Sequence, residues 1–367
     1  MRRPEEIDEA PESDAYPDAP HPRHAKALVG HSTAEAEMLA AYRSGRLAHA
    51  WLIGGPQGIG KATLAWRMAR FVLANPDPAA PAVRQASDLS VGPNQQAARL
   101  IEAMAHPDFS LVRREWRSST KNFSTEIAVD TVRKATQVFQ LAPAFGGWRV
   151  CIVDSADDLN RNSANALLKL IEEPPERSLF LIVAHRPGQV LPTIRSRCRK
   201  LKLDLLTKAE VVEVVRGLGR PWSEMGEATI AKAAAHAEGS AREALARLSP
   251  DAEGVGALIE KTLAGLPRTD PRTVLKLADA LAGRAAQESY EAFHRSLYQA
   301  LADFALKDAT TVVRAEEYGA LWDRIRQAAR ETDSLNLDRR LHIITLFNDI
   351  AETAMRVGAG ARRAGKP

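Results

Sequence analysis

The segment from Gly55 to Ala62 constrains the fold more than any other part of this sequence. It reads Gly-Pro-Gln-Gly-Ile-Gly-Lys-Ala, a Walker A phosphate-binding loop that lacks only the Ser or Thr of its last position. The apolar run Ala50 to Gly54 precedes the loop, and a segment with helical spacing, Lys61 to Ala74, follows it. The sequence therefore predicts a strand, a phosphate-binding loop and a helix in that order.

The glycines and the lysine of this loop carry its phosphate chemistry. Gly55, Gly58 and Gly60 allow the backbone N–H groups to turn inward, and Lys61 brings a cation to the β and γ phosphates at a helix N-terminus. We therefore expect these four residues to bind a nucleotide.

The last position of the loop departs from the pattern. Ala62 offers no oxygen to Mg²⁺, and Thr63, one residue along, points to a different face of the helix. Both residues lie in the predicted nucleotide site, but the usual hydroxyl ligand of the metal is missing.

A second candidate site lies at the end of the apolar strand predicted from Arg149 to Asp154. An acidic residue at this place, downstream of a phosphate loop, is how the Walker B carboxylate reaches the metal. Asp154 is therefore the candidate acid of the nucleotide site and the one candidate ligand for Mg²⁺; the alternative is that it only ends a strand. Many such ATPases place a Glu next to polarise water, whereas Ser155 is a poor base at neutral pH.

Composition limits the class of protein. The 367 residues, 45% hydrophobic and 26% charged, are enough for two or three domains. The sequence has neither a long apolar run nor a secretory signal, so we expect a cytoplasmic protein that does not enter a membrane. Two widely spaced cysteines, Cys151 and Cys198, argue against a disulfide framework, and a net charge of +4 is too mild to indicate nucleic-acid binding.

The sequence changes character along its length. Strand-like and helical runs alternate up to about residue 205, which predicts an α/β sheet domain, and only helical patterns follow. The predicted parts are a disordered, Pro-rich and acidic leader (1–25), a nucleotide-binding domain (26–206), a small helical domain (207–252), an all-helical domain (253–357) and a flexible tail (358–367).

Several short motifs resemble one known family, the clamp-loader subunits of bacterial DNA polymerase III, which are of the AAA+ class. The motifs are Val29-Gly30-His31, His106-Pro107-Asp108, Ala164 to Lys169, Glu172-Glu173-Pro174-Pro175 and Ser196-Arg197-Cys198. The resemblance implies a RecA-like AAA+ domain, a helical lid and an all-α collar within a pentameric ring. It further implies motor subunits of the gamma/tau type, a delta subunit, a sliding clamp and primed DNA as partners.

The same resemblance assigns roles to three residues. Arg197 would be an arginine finger inserted into a neighbour's ATP site, His185 lies at the sensor 1 position and Arg242 at the sensor 2 position. A guanidinium cannot be deprotonated and offers a rigid fork of donors to phosphate. The alternative for Arg197 is a basic strip, shared with Arg195 and Arg199, that is solvated or contacts DNA.

Departures from the family pattern refine the expectation. The segment from Gln85 to His106 has no cysteine, so the zinc module of many clamp-loader subunits is not expected. Ala62 and Ser155 predict a subunit that hydrolyses ATP weakly or not at all, although ATP or ADP with Mg²⁺ remains the candidate ligand. Two rival functions stay open: an autonomous ATP-hydrolysing motor and a P-loop kinase acting on a small molecule.

Overall fold

The computed structural model describes residues 11–120, 122–282, 287–308, 312–334 and 337–364. The chain divides into two compact units, Met1–Leu245 and Ala246–Pro367. The predicted nucleotide-binding domain and most of the predicted lid fall in the first unit. The three-domain division and its boundaries stay a prediction.

A parallel sheet organises the first unit. Its strands are β1 (Ala50–Gly54), β2 (Phe109–Val112), β5 (Arg149–Val153), β6 (Ser178–Ala184) and β7 (Arg199–Lys202), and two short strands, β3 (Trp116–Arg117) and β4 (Asn122–Phe123), form a separate antiparallel pair. The order across the sheet is β2-β5-β6-β1-β7. One strand, β6, thus lies between the strand that leads into the phosphate loop and the strand that leads into Asp154. The strands predicted at Ala50 to Gly54 and at Arg149 to Asp154 are present, and β7 lies at the edge of the sheet.

Helices cover both faces of this sheet. Every residue of β5 and β6 is buried, as a parallel sheet with two covered faces requires. Alternate residues enter two cores: Ile152 and Leu181 pack with Trp66, whereas Val153 and Phe180 pack on the opposite face. The helices of this unit are α1 (Ser32–Arg43), α2 (Lys61–Ala74), α3 (Pro81–Gln85), α4 (Gln96–Glu102), α5 (Val129–Thr136), α6 (Arg161–Glu172), α7 (Pro192–Arg197), α8 (Lys208–Gly217), α9 (Glu227–Ala235) and α10 (Ala241–Leu248).

The prediction of a disordered leader is wrong for residues 11–25, which we call the N-terminal segment; residues 1–10 lie outside the described part of the chain. Asp14 pairs with Arg113 at 2.5 Å, and His21 is buried with its ring edge against Trp66. Arg70 of α2 donates to the backbone carbonyls of residues 23 and 25. Proline and acidic residues suggested a solvated chain, but the partners that order them lie elsewhere in the sequence.

The second unit is entirely helical in its described residues. It consists of α11 (Pro250–Ala264), α12 (Pro271–Leu281), α13 (Gln287–Asp308), α14 (Val312–Ser334) and α15 (Arg339–Ala364), packed around a core that includes Phe293, Leu297 and Phe347. Helix α15 continues to Ala364, so a flexible tail from Gly358 is not observed there, and residues 365–367 lie outside the described part.

The described residues contain neither a membrane-spanning helix nor a cluster of metal ligands. None of their helices combines the length and the apolar character that crossing a bilayer requires. They include no group of three or more His, Cys, Asp or Glu side chains arranged to hold a metal ion.

Candidate functional site

The phosphate loop adopts the conformation that its glycines allow. Gly55, Gly58 and Gly60 all have positive φ angles, of 150°, 78° and 106°. L-residues with a Cβ rarely adopt such angles, which explains the spacing of glycine in the loop. Helix α2 begins at Lys61, directly after the loop, so the free N–H groups of its first turn face the loop.

Lys61 is held inside the loop. Its ammonium donates to the carbonyl of Pro56, and the residue is 3% exposed. Burial lowers the pKa of Lys61 to about 8, and the negative charges of Asp154 and Asp157 oppose that shift. A cation therefore lies where the phosphates of a nucleotide would be bound.

The structure brings Asp154 to the same site. Burial raises the pKa of Asp154 to about 7, and the nearby charge of Asp14 raises it further while Lys61 lowers it. Ala62 supplies no hydroxyl beside it, so the residues present fit phosphate groups but lack the usual Ser or Thr ligand of a magnesium site.

Ser155 makes a local contact with a carboxylate. Its hydroxyl donates to Asp158 Oδ2 at 3.2 Å. The residue that follows Asp154 thus offers a hydroxyl and not a carboxylate, and a hydroxyl is a poor base at neutral pH.

Asp157, which the sequence analysis did not single out, links the end of β5 to the end of β6. Its two carboxylate oxygens accept from the backbone N–H groups of His185 at 2.6 Å and Arg186 at 2.8 Å. His185 therefore has a fixed backbone beside the loop. Burial, with the charge of Lys61 adding to it, lowers the pKa of His185 to about 4, so the imidazole is neutral at pH 7.

The first turn of α10 packs directly on the phosphate loop. Ser240 Oγ donates to the carbonyl of Gln57 at 2.8 Å, and the N–H of Ala241 donates to the carbonyl of Gly58 at 2.9 Å. A Cβ added to Gly58 would lie 2.4 Å from Arg242 Cβ. The predicted sensor 2 residue, Arg242, is thus brought to the loop by backbone contacts.

We expect Gly58→Ala to lower the free energy of unfolding by about 2 kcal/mol or more. The backbone at this position has a positive φ that alanine rarely adopts, and the new methyl group would overlap Arg242. Urea denaturation followed by tryptophan fluorescence would measure the change. Gly217→Ala is the matched control: Gly217 ends α8 with open space around it, and alanine should be neutral or stabilise slightly. Equal stability of the two variants would show that the loop and α10 are not packed in this way.

The N-terminal segment also reaches this site. The guanidinium of Arg242 lies 5.1 Å from the ring centroid of Tyr16, and the Tyr16 ring meets Trp222 edge-on at 6.3 Å. The indole N–H of Trp222 donates to the carbonyl of Asp18 at 3.0 Å. The segment therefore joins the strand end at Arg113 to the helical part that carries Arg242.

Arg197 lies at the C-terminal end of α7 and makes different contacts. Its guanidinium pairs with Glu172 at 2.8 Å and donates to the carbonyl of Thr193 at 3.1 Å. The side chain is 41% exposed. Of the predicted site residues, the structure brings Lys61, Asp154, His185 and Arg242 together. Arg197 lies apart from them, at the end of α7.

Sequence reasoning missed the residues that act through long-range contacts. Asp14, Tyr16 and Ser240 reach the site from segments distant in the chain, and no local pattern marks them. Asp157 could have been found, because a second acidic residue three positions after Asp154 lies at the same strand end.

A parallel α/β sheet with this phosphate loop, an acid at the neighbouring strand end and helices packed on the loop defines a P-loop fold of the AAA+ class. Residues 30–207 match the family model described as DNA polymerase III, delta subunit. This part of the chain is therefore similar to the clamp-loader subunits of bacterial DNA polymerase III.

Individual relatives agree with the family match. The delta' subunit of Pseudomonas aeruginosa DNA polymerase III is 31% identical over 229 residues, which are 60% of this chain and 64% of that protein. The Escherichia coli delta' subunit is 32% identical over 44% of each chain, and a Buchnera aphidicola gamma subunit is 28% identical over 55% of this chain and 51% of that protein. The chain thus spans less than two thirds of the length of these relatives.

Two solved structures align with this chain. A gamma subunit-related protein of Thermotoga maritima aligns with a TM-score of 0.41 and 16% identity, covering 87% of this chain and 99% of that chain. The RuvB Holliday junction branch migration motor of the same organism aligns with a TM-score of 0.38 and 19% identity, covering 72% of this chain and 75% of that chain.

Proposed function

We propose that this chain is the delta' subunit of a DNA polymerase III clamp loader and that it supports hydrolysis in a neighbouring subunit instead of carrying it out. One observation carries the proposal: the chain's own loop lacks a complete magnesium site at Ala62, while Arg197 presents an exposed guanidinium at a helix end. Relatives named delta' and relatives named gamma both match, so the choice between them rests on these residues.

The mechanism follows from the two sites. The phosphate loop, with Lys61 and Arg242 beside it, binds the phosphates of ATP or ADP without turning the nucleotide over efficiently. Arg197 enters the ATP site of a gamma/tau-type neighbour and neutralises charge on the γ phosphate as the transition state forms. Such fingers accelerate nucleotide hydrolysis about 10³- to 10⁵-fold in other proteins.

The partners follow from the same proposal. The chain assembles with gamma/tau-type motor subunits and a delta subunit, and through that complex acts on a sliding clamp and primed DNA. Clamp loading takes place on chromosomal DNA, so we expect the protein in the cytoplasm.

Omitting the chain from a reconstituted loader tests the proposal. Gamma/tau-type and delta subunits from the same organism would be mixed with and without this chain, and DNA-stimulated ATP hydrolysis and clamp loading would be measured. We expect both activities to require the chain. Full activity without it, or failure of the chain to coelute with the motor subunits, would refute the assignment.

An autonomous motor is the second candidate, because Lys61 and Asp154 are both present and gamma subunits are among the relatives. ATP hydrolysis by the isolated chain separates the two candidates. No contact among the described residues, and none of the relatives named above, favours a small-molecule kinase.

A further inference from the structure

The partner of Arg197 is a carboxylate from another helix. Arg197 Nη2 lies 2.8 Å from Glu172 Oε1, and Arg197 Nη1 donates to Thr193 O at 3.1 Å. Glu172 is the last residue of α6 and Arg197 the last residue of α7, so the pair joins the C-terminal ends of two helices. Both side chains are about two fifths exposed, which keeps the pair accessible to a neighbouring protein.

Glu172 occupies a position that its own helix disfavours. The C-terminal end of a helix carries partial negative charge, which repels a carboxylate and attracts a cation. Glu173 follows immediately, so two carboxylates lie at this end of α6. Replacing either one with glutamine should leave α6 as stable or slightly more stable. If Glu172 served only to stabilise the fold, its replacement should therefore cause no loss of stability in α6.

The geometry leaves donors of Arg197 free. A guanidinium has five N–H groups in a rigid fork, and the contacts with Glu172, Thr193 and Ser196 use at most three of them. An unrestrained arginine side chain loses about 2 kcal/mol of rotamer freedom when it is fixed. Contacts that hold the fork before the neighbour arrives reduce that loss while leaving N–H groups for phosphate.

We propose that Glu172 is a positioning residue for Arg197, holding the guanidinium in the orientation in which it meets the γ phosphate in the neighbouring ATP site. This inference rests on the proposed function of Arg197. Glu172 touches no substrate in this scheme, and it acts only through the arginine.

The test compares Glu172→Gln with Glu173→Gln in the reconstituted loader. Glutamine removes the same charge at both positions, but only Glu172 contacts Arg197. We expect Glu172→Gln to lower kcat for DNA-stimulated ATP hydrolysis about 2- to 5-fold, the range that an exposed ion pair is worth. The KM for ATP and the assembled fraction should not change, and Glu173→Gln should behave as the wild type.

Two further variants separate positioning from a general effect on the fold. Glu172→Asp should retain part of the activity, and Glu172→Gln should have no additional effect once Arg197 is alanine. An unchanged or raised kcat in Glu172→Gln would overturn the inference, since the carboxylate would then be idle or would restrain the finger. If Arg197→Ala itself leaves hydrolysis intact, the proposed function fails instead.

Discussion

Replacing Arg197 with alanine is expected to lower ATP hydrolysis at the neighbouring site of the loader by about 10³-fold or more, because arginine fingers contribute about 10³- to 10⁵-fold to nucleotide hydrolysis. The reason is electrostatic: a guanidinium stabilises charge that develops on the γ phosphate, and alanine leaves that charge to water. Assembly should persist, because the Arg197 side chain is 41% exposed and its loss removes only a surface ion pair from this chain.

Single-turnover hydrolysis in a reconstituted loader measures this effect, with size-exclusion chromatography as the check on assembly. Arg195→Ala is the matched control. Arg195 lies in the same last turn of α7 and donates to the carbonyl of Gly188. Arg197→Lys keeps the charge but loses the fork, so it should restore only part of the rate. Normal turnover in Arg197→Ala, or an equal loss in Arg195→Ala, would favour a nonspecific basic strip.

The second prediction with a large expected effect concerns ATP hydrolysis by the isolated chain. We expect the purified protein to hydrolyse ATP at least about 10²-fold more slowly than a gamma/tau-type subunit, because a positioned general base contributes about 10²- to 10⁴-fold and Ser155 cannot supply it. The missing hydroxyl at Ala62 removes a usual ligand of the metal in addition.

Phosphate release from the isolated chain, with and without DNA, measures this activity. Lys61→Ala is the control, since it removes the one cation held inside the loop. A background rate that Lys61→Ala leaves unchanged agrees with the proposal. Robust hydrolysis that Lys61→Ala abolishes would instead identify an autonomous motor and overturn the assignment as a supporting subunit.

Much of the fold could be predicted because its signals are local. The runs around β1, β5 and β6 are continuously apolar, and strands buried on both faces have that composition. Thr207 and Glu210 have the spacing of a capping box at the start of α8, and both of its hydrogen bonds are present. Helix α11 forms although it contains Gly254 and Gly256, whose helix propensity is low.

The candidate site could also be predicted only in part from the sequence. Lys61 and Asp154 were identified from their motifs, and the fold brings them close enough for each to shift the other's pKa. The contacts that complete the site join distant residues: Ser240 with Gln57, and Asp14 with Arg113. Pairs separated by about one hundred residues or more leave no periodic signal in a single sequence.

The sequence by itself determined the phosphate loop, the two departures at Ala62 and Ser155, and the resemblance to clamp-loader subunits, because each depends on residue type and short spacing. Only the tertiary structure decided that the N-terminal segment reaches the nucleotide site and that Glu172 holds Arg197. Those outcomes depend on which surfaces the folded sheet brings together. A carboxylate on one helix finds its arginine on another only after both helices have packed.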